Sequence, residues 1–100
     1  MEKKPQRALV LEPGDNVCVI LTDVHKGDTV TLKGREGALQ IKQTIEFGHK
    51  AALAHIDEGA DITKYGHKIG IATISISPGE WVHLHNMRSV VDPGFRTRIE

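Results

Sequence analysis

Ten glycines among 100 residues divide the chain into short apolar runs. Each run is followed or preceded by turn residues, a pattern typical of short strands joined by tight turns and not of helices. The sequence therefore predicts an all-β fold with at most one or two short helices. Its boundaries are expected to be a disordered N-terminus at 1–6, a folded domain at 7–87 and an extended C-terminal tail at 88–100, which carries Arg88, Arg96 and Arg98.

Several runs indicate how the strands are buried. Residues 16–22 are apolar on both faces, as expected of a strand in the middle of a sheet or barrel. Residues 29–33 alternate polar and apolar, so one face of this strand is wet. Residues 51–56 fit a strand or a single short helix, and the strand is preferred because the run is only about two helical turns long. Gly70 and Ala72 leave room for another group to approach closely.

The composition limits the class of protein. One hundred residues make a single domain, and Lys+Arg 13 balances Asp+Glu 13, so no charge excess directs the chain to nucleic acid or to an anionic membrane. The single cysteine, Cys18, lies in an apolar run and suits a buried free thiol in a reducing compartment. No leader peptide or membrane-spanning run is recognisable. The expected location is the cytoplasm.

Residues 80–86 read as a strand in which Trp81, His83 and His85 share one face, with Val82 and Leu84 on the other. Alternate residues of a strand are roughly 6 to 7 Å apart, so the two imidazoles could serve one metal ion or one anionic ligand. The alternative is a pair of half-exposed strand histidines beside a packed Trp81.

Two other stretches combine cations with hydrogen-bonding side chains. His49 and Lys50 follow Gly48, where exposed backbone N–H groups and an ammonium could receive a carboxylate or phosphate. Lys64 beside Tyr65 could hold an anionic group as well. Solvated loop or strand-end residues are the alternative in both places.

With Asn86, these side chains suit a divalent ion or a hydroxy-acid carboxylate. A domain this small leaves little room for a deep pocket, so no catalytic residue is assigned. The residues alone predict a small β domain that presents a polar, histidine-rich edge to a partner.

Three blocks in order carry a resemblance to a known family. They are Gly48-His49-Lys50-x-Ala52-Leu53, Lys64-Tyr65-Gly66-x-x-Ile69-Gly70-x-Ala72 and Ile76-x-x-Gly79-Glu80-x-Val82-His83-x-His85-Asn86. Together they closely resemble the SAF-type domain of the altronate and galactarate dehydratase family. The resemblance implies a β-clip, SAF-like domain of short strands and bent hairpins.

The resemblance also implies a function. Domains of this kind occur fused to a large catalytic domain or as a small subunit, and the small-subunit form is expected here. The implied reaction is elimination of water, or of sulfite, from a 2-hydroxy acid, with the altronate dehydratase type preferred. A divalent metal, iron or manganese, is expected mainly on the large catalytic subunit. By motif position the resemblance implies substrate-binding roles for His49, Lys50, Lys64, Tyr65 and Asn86, and metal-binding roles for His83 and His85.

Other interpretations stay open. The chain could be a sulfolactate sulfo-lyase small subunit, a non-catalytic SAF-type module that binds carbohydrate or protein, or a free metal-binding protein that uses His83 and His85. The expected partners are a large dehydratase subunit and a sugar-acid substrate. Exposed strand edges favour self-pairing, so the chain could also form a homodimer.

Overall fold

The structure is a computed structural model that describes residues 6–90, which contain nine short strands and no helix. The strands are β1 (Gln6–Leu9), β2 (Val17–Ile20), β3 (Thr29–Lys33), β4 (Ala38–Gln40), β5 (Lys50–Ala52), β6 (Asp61–Lys64), β7 (His67–Ala72), β8 (Trp81–Val82) and β9 (Met87–Ser89). The all-β prediction is confirmed. Of the ambiguous run at 51–56, only Ala51 and Ala52 belong to a strand, β5, and the rest is a bend that ends in an isolated bridge at Ile56. No helix among these residues has the length and apolar character needed to cross a bilayer.

The strands form two sheets. Six strands make the first sheet, in the order β4-β3-β1-β2-β5-β8, and three make the second, in the order β6-β7-β9. β1 and β3 pair in parallel, and the other pairs are antiparallel. Because β8 closes one edge of the first sheet, the late segment that carries the histidine motif lies directly beside β5.

Two apolar cores lie on opposite faces of β2 and β5. Cys18 and Ala51 point into the first core, whereas Val17 and Ala52 point into the second. This alternation is the period of two that a strand imposes on its side chains. The predicted burial on both faces is thereby confirmed for Val17–Ile20, whereas Thr22, at the end of the predicted run, is exposed. The thiol of Cys18 is free, and burial raises its pKa to about 11.

Four turns of one design lead into strands of both sheets, and we call them hook turns 1 to 4. They are residues 25–28, 46–49, 57–60 and 77–80. In each, the fourth amide donates to the first carbonyl, and the third residue is a glycine with φ between 87° and 95°. This is a type II turn, whose third residue needs the positive φ that glycine adopts without strain.

A valine or isoleucine precedes every hook turn. Isolated antiparallel bridges join these residues in two pairs, Val24 with Ile45 and Ile56 with Ile76. The first pair is buried in the first core and the second pair in the second core. Each core therefore contains the paired residues that precede two hook turns.

The predicted strand at residues 80–86 is wrong beyond Val82. The chain leaves β8 there, turns at residues 83–86 and returns as β9, which pairs with β7. Leu84, expected to share a buried face with Val82, is 68% exposed. The cause is Asn86: its Oδ1 accepts from the backbone N–H of His83 (3.0 Å) and its Nδ2 donates to the carbonyl of Trp81 (2.8 Å). An asparagine that bonds nearby backbone groups in this way favours a turn over an extended strand.

Strand β9 bears on two other expectations from the sequence, at Gly70 and at Arg88. The close approach predicted at Gly70 is made by this strand, because a Cβ on Gly70 would lie 2.6 Å from Cγ of Met87. Arg88, in the predicted tail, belongs to β9 and pairs with Ile71. Arg96, Arg98 and most of the predicted disordered N-terminus lie outside the described residues.

Candidate functional site

Hook turn 2 ends at His49, and β5 begins at the next residue, Lys50. The register of β5 with β8 sets Lys50 opposite Val82 and Ala51 opposite Trp81. The exposed amides predicted at this turn are absent, because the N–H of Gly48 donates to Ile20 (2.8 Å) and that of His49 to Glu46 (3.1 Å). Any anion bound here must therefore be held by side chains.

The indole of Trp81 lies at the centre of three imidazoles, and we call these four rings the imidazole cluster. His83 stacks on the indole with centroids 5.4 Å apart and planes 8° apart, and His85 packs against it at 4.9 Å. His49 meets Trp81 edge-on at 5.5 Å and lies 5.4 Å from His83. The structure thus brings His49, from the middle of the chain, together with the histidine motif that follows β8.

The imidazole of His83 is half-buried beside Trp81. Its Nδ1 is buried and has no hydrogen-bond partner among the described residues. Burial lowers the pKa of His83, and the neighbouring cation Lys50 lowers it further. His83 therefore tends to be neutral, with one ring nitrogen left without a partner.

Two lysines make the neighbourhood of the imidazole cluster cationic. Burial lowers the pKa of Lys50, and the charge of Lys64 lowers it further, so the two ammonium groups lie within electrostatic reach of each other. None of the ion pairs found between residues 6 and 90 involves Lys50 or Lys64. Two cations without a carboxylate partner form a surface that attracts an anion.

Tyr65 lies next to Lys64, in the two-residue turn between β6 and β7. Tyr65 and Gly66 both have positive φ, 57° and 77°, which is the geometry of a type I′ hairpin turn. Tyr65 is 59% exposed, and its ring contacts His67, with centroids 6.4 Å apart. It does not belong to the imidazole cluster.

Asp15 holds this hairpin in place, and sequence reasoning missed it. Its carboxylate accepts the N–H groups of Tyr65 (2.8 Å), Gly66 (2.9 Å) and Glu12 (3.1 Å). Burial alone raises the pKa of Asp15, but these backbone hydrogen bonds outweigh it and keep the pKa below its usual value. A buried carboxylate that is a multiple acceptor fixes the position of the hairpin, and with it that of Lys64.

Asn16 ties β6 to the end of the β1–β2 loop. Its side chain accepts from the N–H of Thr63 (2.8 Å) and donates to the carbonyl of Asp61 (2.9 Å). The pair Asp15-Asn16 follows Pro13-Gly14, and this stretch predicts only a turn and the start of a strand. The available signal was two adjacent residues with short polar side chains, which commonly bond to backbone groups.

Asn86 uses both of its amide atoms within the chain, where they shape the turn that carries His83 and His85. A contact between Asn86 and a substrate stays a prediction.

The histidines do not by themselves fit a divalent metal. Between residues 6 and 90 no three His, Cys, Asp or Glu side chains are placed to hold one ion. Catalytic zinc sites, for comparison, use three protein ligands and structural sites four. His83 and His85 both pack on the indole of Trp81, so at most they would add to ligands from elsewhere.

Fold and site together define a small all-β domain that presents a cationic surface rich in imidazoles. Residues 6–90 match the family described as the altronate/galactarate dehydratase SAF domain. The chain therefore belongs to that family, and the resemblance found in the sequence is confirmed.

The chain is similar to two altronate dehydratases and to a separate subunit of a sulfo-lyase, among other relatives. Altronate dehydratase of Bacillus subtilis (strain 168) is 41% identical over 75 residues, and that of Escherichia coli (strain K12) is 40% identical over 75 residues. In both, the match covers 75% of this chain but only 15% of the relative. The (2R)-sulfolactate sulfo-lyase subunit alpha of Chromohalobacter salexigens is 33% identical over 75 residues, which are 71% of this chain and 80% of that subunit.

Proposed function

We propose that this chain is the SAF subunit of a sugar-acid dehydratase of the altronate type, covering the active site of a separate large catalytic subunit. The identity to two altronate dehydratases supports the substrate class. The separate-subunit arrangement is supported by the 80% coverage of a relative whose own name calls it a subunit.

One observation carries the proposal: Lys50, which pairs with Val82 next to the imidazole cluster, lies within electrostatic range of Lys64, and neither lysine has a carboxylate partner among the described residues. A sugar acid carries a carboxylate at physiological pH, and two ammonium groups can bind it by charge-assisted hydrogen bonds. The surface therefore has the charge and the donors that the substrate class requires.

The same cations have a role in the chemistry. Elimination of water from a 2-hydroxy acid begins with loss of a proton next to the carboxylate, and negative charge then builds up on the carboxylate oxygens. Fixed cations and hydrogen-bond donors aimed at those oxygens lower the barrier, and more so once water is excluded. Closure of this surface against the large subunit would exclude that water. We assign the divalent metal and the catalytic base to the large subunit, because the described residues offer no three-ligand set.

A domain exchange into one of these relatives tests the proposal. The matching 75 residues of Bacillus subtilis altronate dehydratase are replaced by those of this chain, and dehydration of altronate is followed. We expect the chimera to be active and a version with Lys50→Met and Lys64→Met to be strongly impaired. A folded chimera, checked by circular dichroism, that shows no altronate dehydration would contradict the altronate assignment.

The sulfo-lyase relative supports a second candidate, a small subunit for sulfite elimination from sulfolactate. Replacing subunit alpha of the Chromohalobacter salexigens enzyme by this chain, with release of sulfite as the readout, separates the two. Activity in this exchange and none with altronate would select the second candidate. Failure of both, together with binding of altronate by the isolated chain, would indicate a non-catalytic binding module.

A further inference from the structure

The indole of Trp81 makes a hydrogen bond that determines where His49 carries its proton. Nε1–H of Trp81 donates to Nδ1 of His49 at 3.2 Å. An indole nitrogen can only donate, so Nδ1 of His49 must be the acceptor. A neutral imidazole has one donor and one acceptor nitrogen, whereas both are donors in the protonated ring. His49 is therefore neutral in this arrangement, with its proton on Nε2.

The indole is well placed to impose this choice, because its residue is fixed on several sides. The backbone N–H of Trp81 donates to Oε1 of Gln43 (2.9 Å), and its carbonyl accepts from Nδ2 of Asn86 (2.8 Å). The ring itself stacks on His83. Trp81 cannot easily turn its N–H towards another acceptor without breaking these contacts.

We propose that Trp81 is a positioning residue that holds His49 as the neutral Nε2–H tautomer, so that His49 offers a hydrogen-bond donor to an oxygen of the anion bound by Lys50 and Lys64. The part that concerns the anion rests on the proposed function, and the part that concerns the tautomer does not. In this state His49 is a donor and not a proton acceptor at Nε2.

With this tautomer, the two lysines and Nε2 of His49 all present hydrogen-bond donors. Lysine ammonium groups have donors and no acceptor, and Nε2–H of His49 adds a further donor. An ionised carboxylate has only acceptors, so it matches all three groups. Position 81 is not among the residues that carry the family resemblance, so the inference concerns this chain and not the family motif.

The tautomer can be measured in the isolated full chain by nitrogen-15 NMR of histidine-labelled protein, with His49→Gln used to assign the signals. The pH is set well above the ordinary imidazole pKa of about 6.5, so that all rings are neutral. We expect Nδ1 of His49 to have the chemical shift of an unprotonated nitrogen and Nε2 that of a protonated one. In Trp81→Phe, which keeps an aromatic ring but loses the donor, the ratio of Nε2–H to Nδ1–H should fall by about fivefold, the effect of one neutral hydrogen bond.

A second readout needs no assignment. The chain has one tryptophan, so a single indole N–H signal is expected. In the wild type this proton should resonate downfield and exchange slowly, and His49→Gln should shift it and speed its exchange. His67, which contacts Tyr65 and not Trp81, is the internal control and should keep its shifts in Trp81→Phe.

Two results would overturn the proposal: a wild-type His49 with its proton on Nδ1, or a tautomer ratio that does not change in Trp81→Phe. Neither result depends on a substrate or on a partner chain. The tautomer proposal and the dehydratase proposal therefore fail separately.

Discussion

Hook turns 2 and 4 carry the candidate site, whereas hook turns 1 and 3 have the same backbone and carry none of it. The difference lies in the strands that the turns lead into. Turns 2 and 4 continue into β5 and β8, which pair, so that His49 and Trp81 meet. Turns 1 and 3 continue into β3 and β6, which belong to different sheets.

The side chains at turns 1 and 3 also differ from those at turn 2 in whether they have an acidic partner. Within turn 1, His25 lies 3.9 Å from Asp28, and just before turn 3, His55 lies 2.9 Å from Asp57. Lys50, next to turn 2, has no such acidic partner among residues 6–90. The same type of turn thus recurs through the fold, and the candidate site lies where the strands that follow two of these turns pair with each other.

The largest expected effect is a difference in stability between glycine-to-alanine variants of turn 4 and of turn 3. Gly79 and Gly59 have almost the same φ, 87° and 88°, so an alanine costs each about 1–2 kcal/mol in backbone strain. A Cβ on Gly79 would also overlap the carbonyl oxygen of Gln40, whereas a Cβ on Gly59 meets nothing within 4 Å. We expect Gly79→Ala to lower the free energy of unfolding by roughly 3–4 kcal/mol and Gly59→Ala by about 1–2 kcal/mol. Denaturant unfolding measures both, and equal losses would show that turn 4 is not held against the first sheet.

The next effect concerns the loop that joins the second sheet to the first. Asp15→Asn replaces one carboxylate oxygen by an amide donor, which leaves at least one backbone N–H of the hairpin without its acceptor. The expected loss at neutral pH is about 2 kcal/mol. Asp61→Asn, which removes only an exposed ion pair with Lys68, is the matched control and should cost below about 1 kcal/mol.

The pH dependence of this effect has a definite sign. The pKa of Asp15 is lower in the folded chain than its usual value, so the stabilisation is fully present above the unfolded pKa of about 3.9 and is lost as pH falls through the lower, folded pKa. The difference between wild type and Asp15→Asn should therefore shrink below about pH 4. A difference that stays constant down to strongly acidic pH would mean that the carboxylate is not the stabilising group.

These elements also show how far the sequence leads. The two-sided apolar run at 16–22 predicted β2, and the alternation at 29–33 predicted β3. Both predictions worked because side chains alternate between the two faces of a strand, so the pattern of apolar residues shows which faces are buried. The alternation at 80–86 misled, because Asn86 closes a turn there and β9 finds its partner in β7. Alternation alone does not distinguish a strand from a turn whose side chains happen to stack on one indole.

The site residues stay a prediction, and the sequence did not predict the geometry that the structure gives them. The family resemblance supplied His49, Lys50 and Lys64, whereas the bond from Trp81 to His49 depends on the register of β5 with β8, segments about 30 residues apart. The hook turns did leave a signal that sequence reasoning passed over. A valine or isoleucine lies three residues before glycine at positions 24, 45, 56 and 76.

A third prediction tests whether unpaired cations distinguish turn 2. In the altronate dehydratase chimera, Lys50→Met and Lys64→Met should each raise KM for altronate about tenfold, since each removes a charge-assisted hydrogen bond worth about 1.5 kcal/mol. The double variant should lose less than the product of the two if both lysines bind one carboxylate. Lys68→Met, at an exposed lysine already paired with Asp61, is the control and should leave KM unchanged. Similar effects for all three lysines would indicate general attraction of the substrate and no defined site.

The smallest expected effect is a gain in stability that concerns the residue with positive φ in the β6–β7 hairpin, compared with the glycines of the hook turns. In the hook turns a glycine takes the left-handed position, but in the hairpin Tyr65 takes it and is the one non-glycine residue with positive φ between residues 6 and 90. Asparagine tolerates this conformation better than tyrosine does. We expect Tyr65→Asn to raise the free energy of unfolding by about 0.5–1 kcal/mol, because it removes strain while Asp15 keeps its backbone bonds.

The functional comparison then shows whether that strain serves the site. Tyr65→Phe keeps the ring and the strain but removes the hydroxyl, so it isolates the contribution of the hydroxyl to altronate affinity in the chimera. If Tyr65 binds substrate through its hydroxyl, both variants should raise KM while only Tyr65→Asn gains stability. A Tyr65→Asn chimera that is more stable and has an unchanged KM would remove Tyr65 from the substrate-binding set, and the strain at this position would then have no connection with the anion held by Lys50 and Lys64.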